Sequence, residues 1–440
     1  MSSSSLTFHI QPSTTLQGQI RVPSDKSISH RAILLGAIAE GNTHIQHCLL
    51  AEDCLAMLQA FRNMGVQITY NAMGEVNIVG VGLHGLQAPT TTLNLGNSGT
   101  AIRLLAGLLA GQNFSSILTG DTSLCRRPMR RVIQPLQQMG AHINAYHDEY
   151  PPLEIAGGHS LHGITYSLPM ASAQVKTCLL LAGLYAQGET QVIEPAITRD
   201  HTERMLQTFG YPLQQTHLSV KIVGEQQLRA TEIIIPADLS SAAFFLVGAS
   251  IAKDSKVILK QVGINPTRIG VINILRLMGA AIEIQLVQLG NNSEPIADLI
   301  VRYAPLQGIV IPLEQVSLAI DEFPALFIAA ACAKGTTVLQ GAKELRVKES
   351  DRIGVMVEGL RTLGIKIIEQ EDGVIIEGGK IGGGSINSHG DHRIAMAFSM
   401  AALVAENAIY IKDCANVATS FPNFVDLAQR LGLQITSSSA

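Results

Sequence analysis

Six times along the 440 residues a helix-like stretch stops at a glycine and runs straight into a strand-like segment. The stops are Gly65, Gly140, Gly210, Gly279, Gly364 and Gly432, spaced 75, 70, 69, 85 and 68 residues apart. A glycine closing a helix supplies the left-handed backbone that lets the chain turn back. A regular series of them implies a repeated supersecondary unit rather than one irregular core. A second series of more apolar helices alternates with the first, starting near Ile28, Thr100, Ala173, Ser241, Phe323 and Asp391. Helices that are apolar on every side must be buried. Each unit therefore reads as buried helix, strand, outer amphipathic helix, strand and further short strands. The pattern predicts an α/β fold of six units in two domains of three, with the seam after Ile233-Ile234-Ile235-Pro236. The first 19 residues precede the first unit and are free to pack with either half.

Composition narrows the function. Charged residues make up 15% and hydrophobic ones 47%, the balance of an enzyme with large buried helices rather than a disordered chain. No apolar run approaches the ~18–20 residues of a membrane span, and the start, Met1-Ser2-Ser3-Ser4-Ser5, has no basic region followed by an apolar core, so a soluble cytoplasmic protein is expected. The six cysteines (48, 54, 125, 178, 332 and 414) form no metal-ligand pattern and read as free thiols. A net charge of −4, no Trp and 4% aromatics argue against nucleic acid as partner. Local positive clusters must then serve something small and anionic.

Those clusters sit at helix starts. Ser24-Asp25-Lys26-Ser27-Ile28-Ser29-His30-Arg31 places two fixed cations and several short polar side chains ahead of a wholly apolar helix, where the free N–H groups and the macrodipole favour an anion. A plain surface cap is the competing reading for any one such stretch. Arg127-Pro128, Arg199-Asp200, Asn265-Pro266-Thr267-Arg268 and Lys348-Glu349-Ser350-Asp351-Arg352 repeat the arrangement at outer helices, although a base at an N-terminus is unfavourable unless an anion lies between. Gly96-Asn97-Ser98-Gly99-Thr100 is a glycine turn whose N–H groups suit a phosphate. Ser172-Ala173-Gln174 caps a third buried helix, and Asp391-His392-Arg393 opens the last. Asp321 reads either as an N-cap acid or as a base, and Lys348 and Arg352 are expected at i and i+4 on one helical face. Gly80-Val81-Gly82-Leu83-His84-Gly85 matches a dinucleotide fingerprint, but Pro89 follows where a helix is required, so it reads as a turn. The scattered histidines His30, His201, His389 and His392 suggest no metal set.

Taken in order, these motifs resemble the 5-enolpyruvylshikimate-3-phosphate synthase family over essentially the whole chain. The resemblance implies an inverse α/β barrel fold, with an N-terminal domain over residues 20–238, a C-terminal domain over 1–19 plus 239–440, and the active site in the cleft between them. It implies transfer of the enolpyruvyl group of phosphoenolpyruvate to the 5-hydroxyl of shikimate 3-phosphate, without metal or organic cofactor, by a protein expected to be a monomer with no membrane or nucleic-acid partner. Lys26, Ser27, Arg31, Ser172, Gln174, Arg199, Asp321 and Lys348 would bind shikimate 3-phosphate. Lys26, Gly99, Arg127, Gln174, Arg352 and Arg393 would bind phosphoenolpyruvate. Asp321, Glu349 and Lys26 would be catalytic. Arg199-Asp200-His201-Thr202-Glu203, Ser172-Ala173-Gln174-Val175-Lys176 and Asn265-Pro266-Thr267-Arg268 are similar to the family's second class, associated with tolerance of glyphosate. Three positions depart from pattern: Thr419 stands where the first class has a phosphate-contacting Lys, Ser24 replaces the usual Gly before Asp-Lys, and Gly99 matches inhibitor-sensitive members.

Overall fold

The computed structural model describes residues 6–287 and 294–439. It divides into two compact units, an N-terminal one (Ser24–Ile235 with Leu289–Glu294) and a C-terminal one (Met1–Pro23, Pro236–Gln288 and Pro295–Ala440). Among the described residues there are six sheets, and each unit has its own apolar core.

The N-terminal unit contains α1 (Lys26–Ile38), α2 (Glu52–Asn63), α3 (Gly99–Ala110), α4 (Arg130–Gln138), α5 (Ala173–Gly183) and α6 (His201–Thr208). α1, α3 and α5 are the buried series; in α1 every residue from Ile28 to Ile38 is buried. Gly107 is what lets α3 approach α5, because a Cβ there would lie 2.1 Å from the Cys178 carbonyl oxygen, well inside contact distance. The outer helices are amphipathic: α2 buries Cys54, Met57, Leu58 and Phe61 and turns Gln59 and Asn63 outward. The sheets share one plan. Thr165–Ser167 lies parallel to Glu189–Ile193, which pairs antiparallel with Ser219–Val223, which pairs antiparallel with Leu213–Gln215. Leu93–Asn94, Ser116–Thr119, Tyr150–Ala156 and His142–Tyr146 repeat it.

The C-terminal unit continues the series with α7 (Leu239–Ile251), α8 (Gly270–Leu277), the single turn α9 (Leu313–Val316), α10 (Phe323–Cys332), α11 (Arg352–Thr362), α12 (His392–Ala401) and α13 (Phe424–Arg430). α7, α10 and α12 are its buried helices. All six glycine stops have positive φ, from 78° to 107°. Each directly follows the capping residue of α2, α4, α6, α8, α11 or α13, the position where a left-handed residue satisfies the last carbonyls.

The seams fall at 23/24 and 235/236, a few residues from the expected 19/20 and 238/239, and strand pairing explains why. Gln17–Ile20 precedes α1 in the chain yet lies parallel to Lys256–Gly263, which holds the chain in the C-terminal unit as far as Pro23. Glu232–Ile234 precedes α7 yet lies parallel to Glu40–Gln46 in the N-terminal unit. Asp238 begins the C-terminal unit rather than ending the other: its carboxylate accepts from the Ser240 N–H at 2.8 Å, capping α7, and its own N–H donates to the Pro23 carbonyl at 2.9 Å. The sheet of Ile409–Lys412 is completed by the first strand, Leu6–Gln11, which runs antiparallel to it and to Gln434–Ser439. Residues 80–85 form a strand end and turns, and the next helix along the chain begins only at Gly99. Among the described residues no helix is long and apolar enough to cross a membrane.

Candidate active site

In the N-terminal unit the polar residues gather at the starts of the buried helices. Asp25 caps α1, its Oδ1 accepting from the Ile28 N–H at 2.9 Å, as short acids at such positions do. That leaves Lys26 and Ser27 in the first turn. Lys26 Nζ pairs with Asp53 Oδ2 at 3.0 Å. Arg31, one turn further on, is buried, and its guanidinium donates to the Ser27 carbonyl at 2.9 Å, to Thr177 Oγ1 at 2.8 Å and to Thr202 Oγ1 at 2.7 Å. Burial pulls its pKa down to about 10, because the protein replaces only part of the water a cation holds in solution.

At the start of α3, Ser98 caps the helix by accepting from the Ala101 N–H at 3.2 Å. A Cβ on Gly99 would lie 2.9 Å from Nη1 of both Arg103 and Arg127, so two guanidinium groups crowd this glycine. Arg103 donates to the Gly99 carbonyl at 3.1 Å and to Gln174 Oε1 at 2.8 Å, while Gln174 Nε2 donates to Thr100 Oγ1 at 3.1 Å. Arg127 donates to Asn97 Oδ1. Gly99, Arg127 and Gln174 are thus one connected patch, with Ser172 at the N-cap of the same α5 and Arg199 just before the cap of α6. Ser172 also does the plain capping work, accepting from the Val175 N–H at 3.5 Å.

The C-terminal unit builds its patch around Arg352. This buried side chain opens α11 and meets Asp391 through Nε at 2.8 Å, Asp321 through Nη1 at 3.4 Å and Glu349 through Nη2. Burial alone would lower the Arg352 pKa, but the three carboxylates outweigh it and raise it. Asp391 responds oppositely: burial pushes it up, and the Arg352 charge more than offsets that and holds it below the usual carboxylate range. Lys348 Nζ reaches the same Asp321 Oδ1 at 3.3 Å and Glu344 at 2.6 Å. Arg393, second residue of α12, donates to the Asp321 main-chain carbonyl at 2.9 Å and lies 3.6 Å from Glu322. Asp321, Lys348, Glu349, Arg352 and Arg393 therefore form one cluster.

Two sequence expectations need correction here. Lys348 and Arg352 do not share a helical face: Lys348 is the capping residue just after the 3₁₀ turn Lys343–Val347, Asp351 caps α11, and the helix begins only at Arg352. They converge on Asp321 from different elements. Nor does Asp321 act as a cap, since Glu322 is the N-cap residue of α10 and makes no side-chain capping bond.

Comparison with known proteins places this architecture. The family model for EPSP synthase (3-phosphoshikimate 1-carboxyvinyltransferase) matches residues 10–427. The chain belongs to the EPSP synthase family. The 3-phosphoshikimate 1-carboxyvinyltransferase of Alkalilimnicola ehrlichii is 61% identical over 434 residues, covering 98% of this chain and 97% of that protein. That of Methylococcus capsulatus is 61% identical over 428 residues, covering 97% and 98%. An EPSP synthase structure from Acinetobacter baumannii superposes with a TM-score of 0.89 at 54% identity, covering 99% of this chain and all of the other. The enolpyruvyl transferase NikO from Streptomyces tendae, at 16% identity and a TM-score of 0.80 over 99% of this chain, shares the fold. The six-unit α/β architecture is thus the inverse α/β barrel of EPSP synthases and their relatives.

Several residues in contact with the candidate site carry no assignment from the sequence. Arg103 stands one turn beyond Gly99, at the i+4 spacing that brings its side chain back over the turn. The Asp391-His392-Arg393 motif does not show that Asp391 anchors Arg352. Asp53 and Thr177 carry no local signal, and Thr202 lies in a motif that gives it no role of its own; only the tertiary fold brings them to Lys26 and Arg31. Thr419 spends its hydroxyl proton on the Asn416 carbonyl at 2.7 Å within its own 3₁₀ turn, so it has none to offer a phosphate in place of the first-class lysine. Cys125 lies in the 3₁₀ turn Leu124–Arg126 with Sγ 3.5 Å from the Gly120 carbonyl. Among the described residues no group of three His, Cys, Asp or Glu could hold a metal ion.

Proposed function

We infer that this chain transfers the enolpyruvyl group of phosphoenolpyruvate to the 5-hydroxyl of shikimate 3-phosphate. The 5-hydroxyl gives up its proton as its oxygen bonds to the enol carbon, and the methylene carbon gains a proton to become a methyl group. One methyl proton is then lost as the carbon–oxygen bond to phosphate breaks, giving the enol ether and free phosphate. The observation that carries the reading is the Arg352 cluster, where two carboxylates able to move protons, Asp321 and Glu349, stand within hydrogen-bonding reach of cations suited to an anionic substrate. Asp321 and Glu349, with Lys26, manage the protons. Arg352 and Arg393 take the phosphoenolpyruvate carboxylate, and Lys26, Gly99, Arg127 and Gln174 its phosphate end. Ser27 and Arg31 hold the shikimate carboxylate, Ser172, Gln174 and Arg199 its phosphate, and Asp321 and Lys348 its hydroxyls. The substrates bring four anionic groups, which accounts for bases at helix starts where dipoles alone would place acids.

The second-class assignment is part of the same proposal. Its support is the Arg199–Glu203 motif, whose Asp200, His201, Thr202 and Glu203 are buried and whose Thr202 and Glu203 make inward contacts. The test is phosphate release from the two substrates by the Asp321→Ala variant, repeated on the parent enzyme with glyphosate present. Turnover is expected to fall by on the order of 10²–10⁴-fold with the fold intact, and near-parent release would remove Asp321 from the chemistry.

A further inference from the structure

A guanidinium carries five N–H groups in a fixed plane. Three of those on Arg31 are spoken for: Nε by Thr202 Oγ1, one on Nη2 by Thr177 Oγ1 and one on Nη1 by the Ser27 carbonyl. Among the described residues, one N–H remains on each terminal nitrogen, the pair that a carboxylate takes in a bidentate bond. The two threonine oxygens are themselves hydrogen-bonded at 2.6 Å, so they act as one clamp on one edge of the plane. Both come from different helices, Thr177 from α5 and Thr202 from α6, and all three side chains are buried.

The chemistry of the clamp matters as much as its place. Arg352 is held by three carboxylates, whereas the anchors of Arg31 are two hydroxyls and a carbonyl. Neutral anchors fix a cation's orientation without themselves neutralising it, although Glu203 and Asp25 act on its charge from nearby. Directly beside the clamp in sequence, Lys176 of α5 binds Glu203 of α6 at 2.7 Å and Glu194 at 2.8 Å. This buried triad ties the first turns of the two helices together at the place where the threonines must meet.

We propose that Thr177 and Thr202 are positioning residues that orient Arg31 for the carboxylate of the acceptor substrate. The proposal rests on the reading that Arg31 binds that carboxylate, and its test separates the two. In the full-length enzyme, Thr177→Val, Thr202→Val, Thr177→Ser, Thr202→Ser and Arg31→Gln are compared by calorimetric binding of shikimate 3-phosphate and of its carboxamide analogue, together with the KM for phosphoenolpyruvate. Each valine variant keeps the side chain's volume and loses the hydroxyl, and is expected to weaken shikimate 3-phosphate binding roughly tenfold, since a bond to a charged group is lost. The serine variants restore binding to within about threefold of the parent, because the hydroxyl returns. The carboxamide, already weakened in the parent, loses less than about twofold further, as for two changes acting on one contact. The phosphoenolpyruvate KM stays within about twofold, the signature of a contact confined to the other substrate.

Equal weakening of acid and carboxamide, a parallel rise in the phosphoenolpyruvate KM, or serine variants as poor as valine would overturn the positioning role. If Arg31→Gln weakens shikimate 3-phosphate and the valine variants do not, the carboxylate reading stands and the clamp falls. If Arg31→Gln binds like the parent, the carboxylate reading itself falls. The two threonines are tested separately, so a valine variant that fails to fold leaves the other to decide.

Discussion

Replacing Lys176 by methionine tests how strongly one buried ion triad holds the N-terminal unit. The ammonium lies 2.8 Å from Glu194 Oε2 and 2.7 Å from Glu203 Oε1, with the Lys176 and Glu203 side chains each 1% exposed. Burial alone would lower the Lys176 pKa, but Glu203 and Glu194 outweigh it and raise it. Burial raises that of Glu203, and the lysine only partly offsets this. Methionine keeps most of the stem volume and removes the charge, leaving two carboxylates in the interior without their cation. Breaking a buried pair from one side costs about 3–5 kcal/mol. For a unit of this size that corresponds to a melting temperature lower by on the order of 10 °C. The sign with pH follows from Glu203. A carboxyl whose folded pKa is raised contributes stability that is complete below its unfolded value and is lost as pH rises through the folded one. Removing the lysine raises that pKa further, so the difference between variant and parent grows from mildly acid to neutral pH. Urea unfolding at several pH values, followed by tyrosine fluorescence, reads it out: the chain has no Trp, and Tyr70, Tyr146, Tyr150, Tyr166, Tyr185 and Tyr211, six of its eight tyrosines, lie in this unit. The double variant Lys176→Met with Glu203→Gln should recover part of the loss, because the stranded charge is gone. A loss below about 1 kcal/mol, a loss independent of pH, or a double variant no better than the single would refute the reasoning.

Other consequences are open to equally direct measurement. His30 is fully buried and burial lowers its pKa to about 4. It therefore contributes stability present above its unfolded pKa near 6.5 and lost as pH falls toward 4, a loss of about 3 kcal/mol that a His30→Leu variant should flatten in acid unfolding curves. Gly99→Ala would drive a methyl against Nη1 of Arg103 and Arg127, and is expected to raise the phosphoenolpyruvate KM roughly tenfold in steady-state assays with little effect on shikimate 3-phosphate binding. Gly364→Ala meets no atom within 4 Å and bears only its positive φ of 86°, worth about 1–2 kcal/mol. Gly359→Ala would place its Cβ 2.2 Å from Phe398 Cζ and should destabilise α11 further in urea unfolding, with equal losses for the two arguing against the packing described.

The repeat was legible because it rests on local rules. A glycine closing an amphipathic helix and a wholly apolar helix leading into a β-branched run both announce themselves within a dozen residues, and all six glycines took the backbone that rule requires. Seams were harder to read, since the strands before α1 and α7 each pair in the sheet of the other half, a long-range choice with no local mark. In the candidate site the residues at helix starts could be named in advance. What holds them could not, because Thr177 reaches Arg31 across 146 positions and Asp391 reaches Arg352 across 39. The helical-face argument for Lys348 and Arg352 failed because Asp351 is a good cap and delays the helix to Arg352.

The pairing of Leu6–Gln11 with Ile409–Lys412 and Gln434–Ser439 sets an order of assembly during synthesis. Every described helix and strand of the N-terminal unit has been made by residue 235, whereas the strand Leu6–Gln11 has no partner until some 400 residues later. At about 5–20 residues per second it waits roughly 20–80 s. Through that interval its sequence, Leu-Thr-Phe-His-Ile-Gln, is an unpaired strand of the kind that invites foreign pairing. This sheet therefore closes only after strands some 400 positions apart have both been made, and a circular permutant that places Leu6–Gln11 next to Gln434–Ser439 in the chain would fold without the wait.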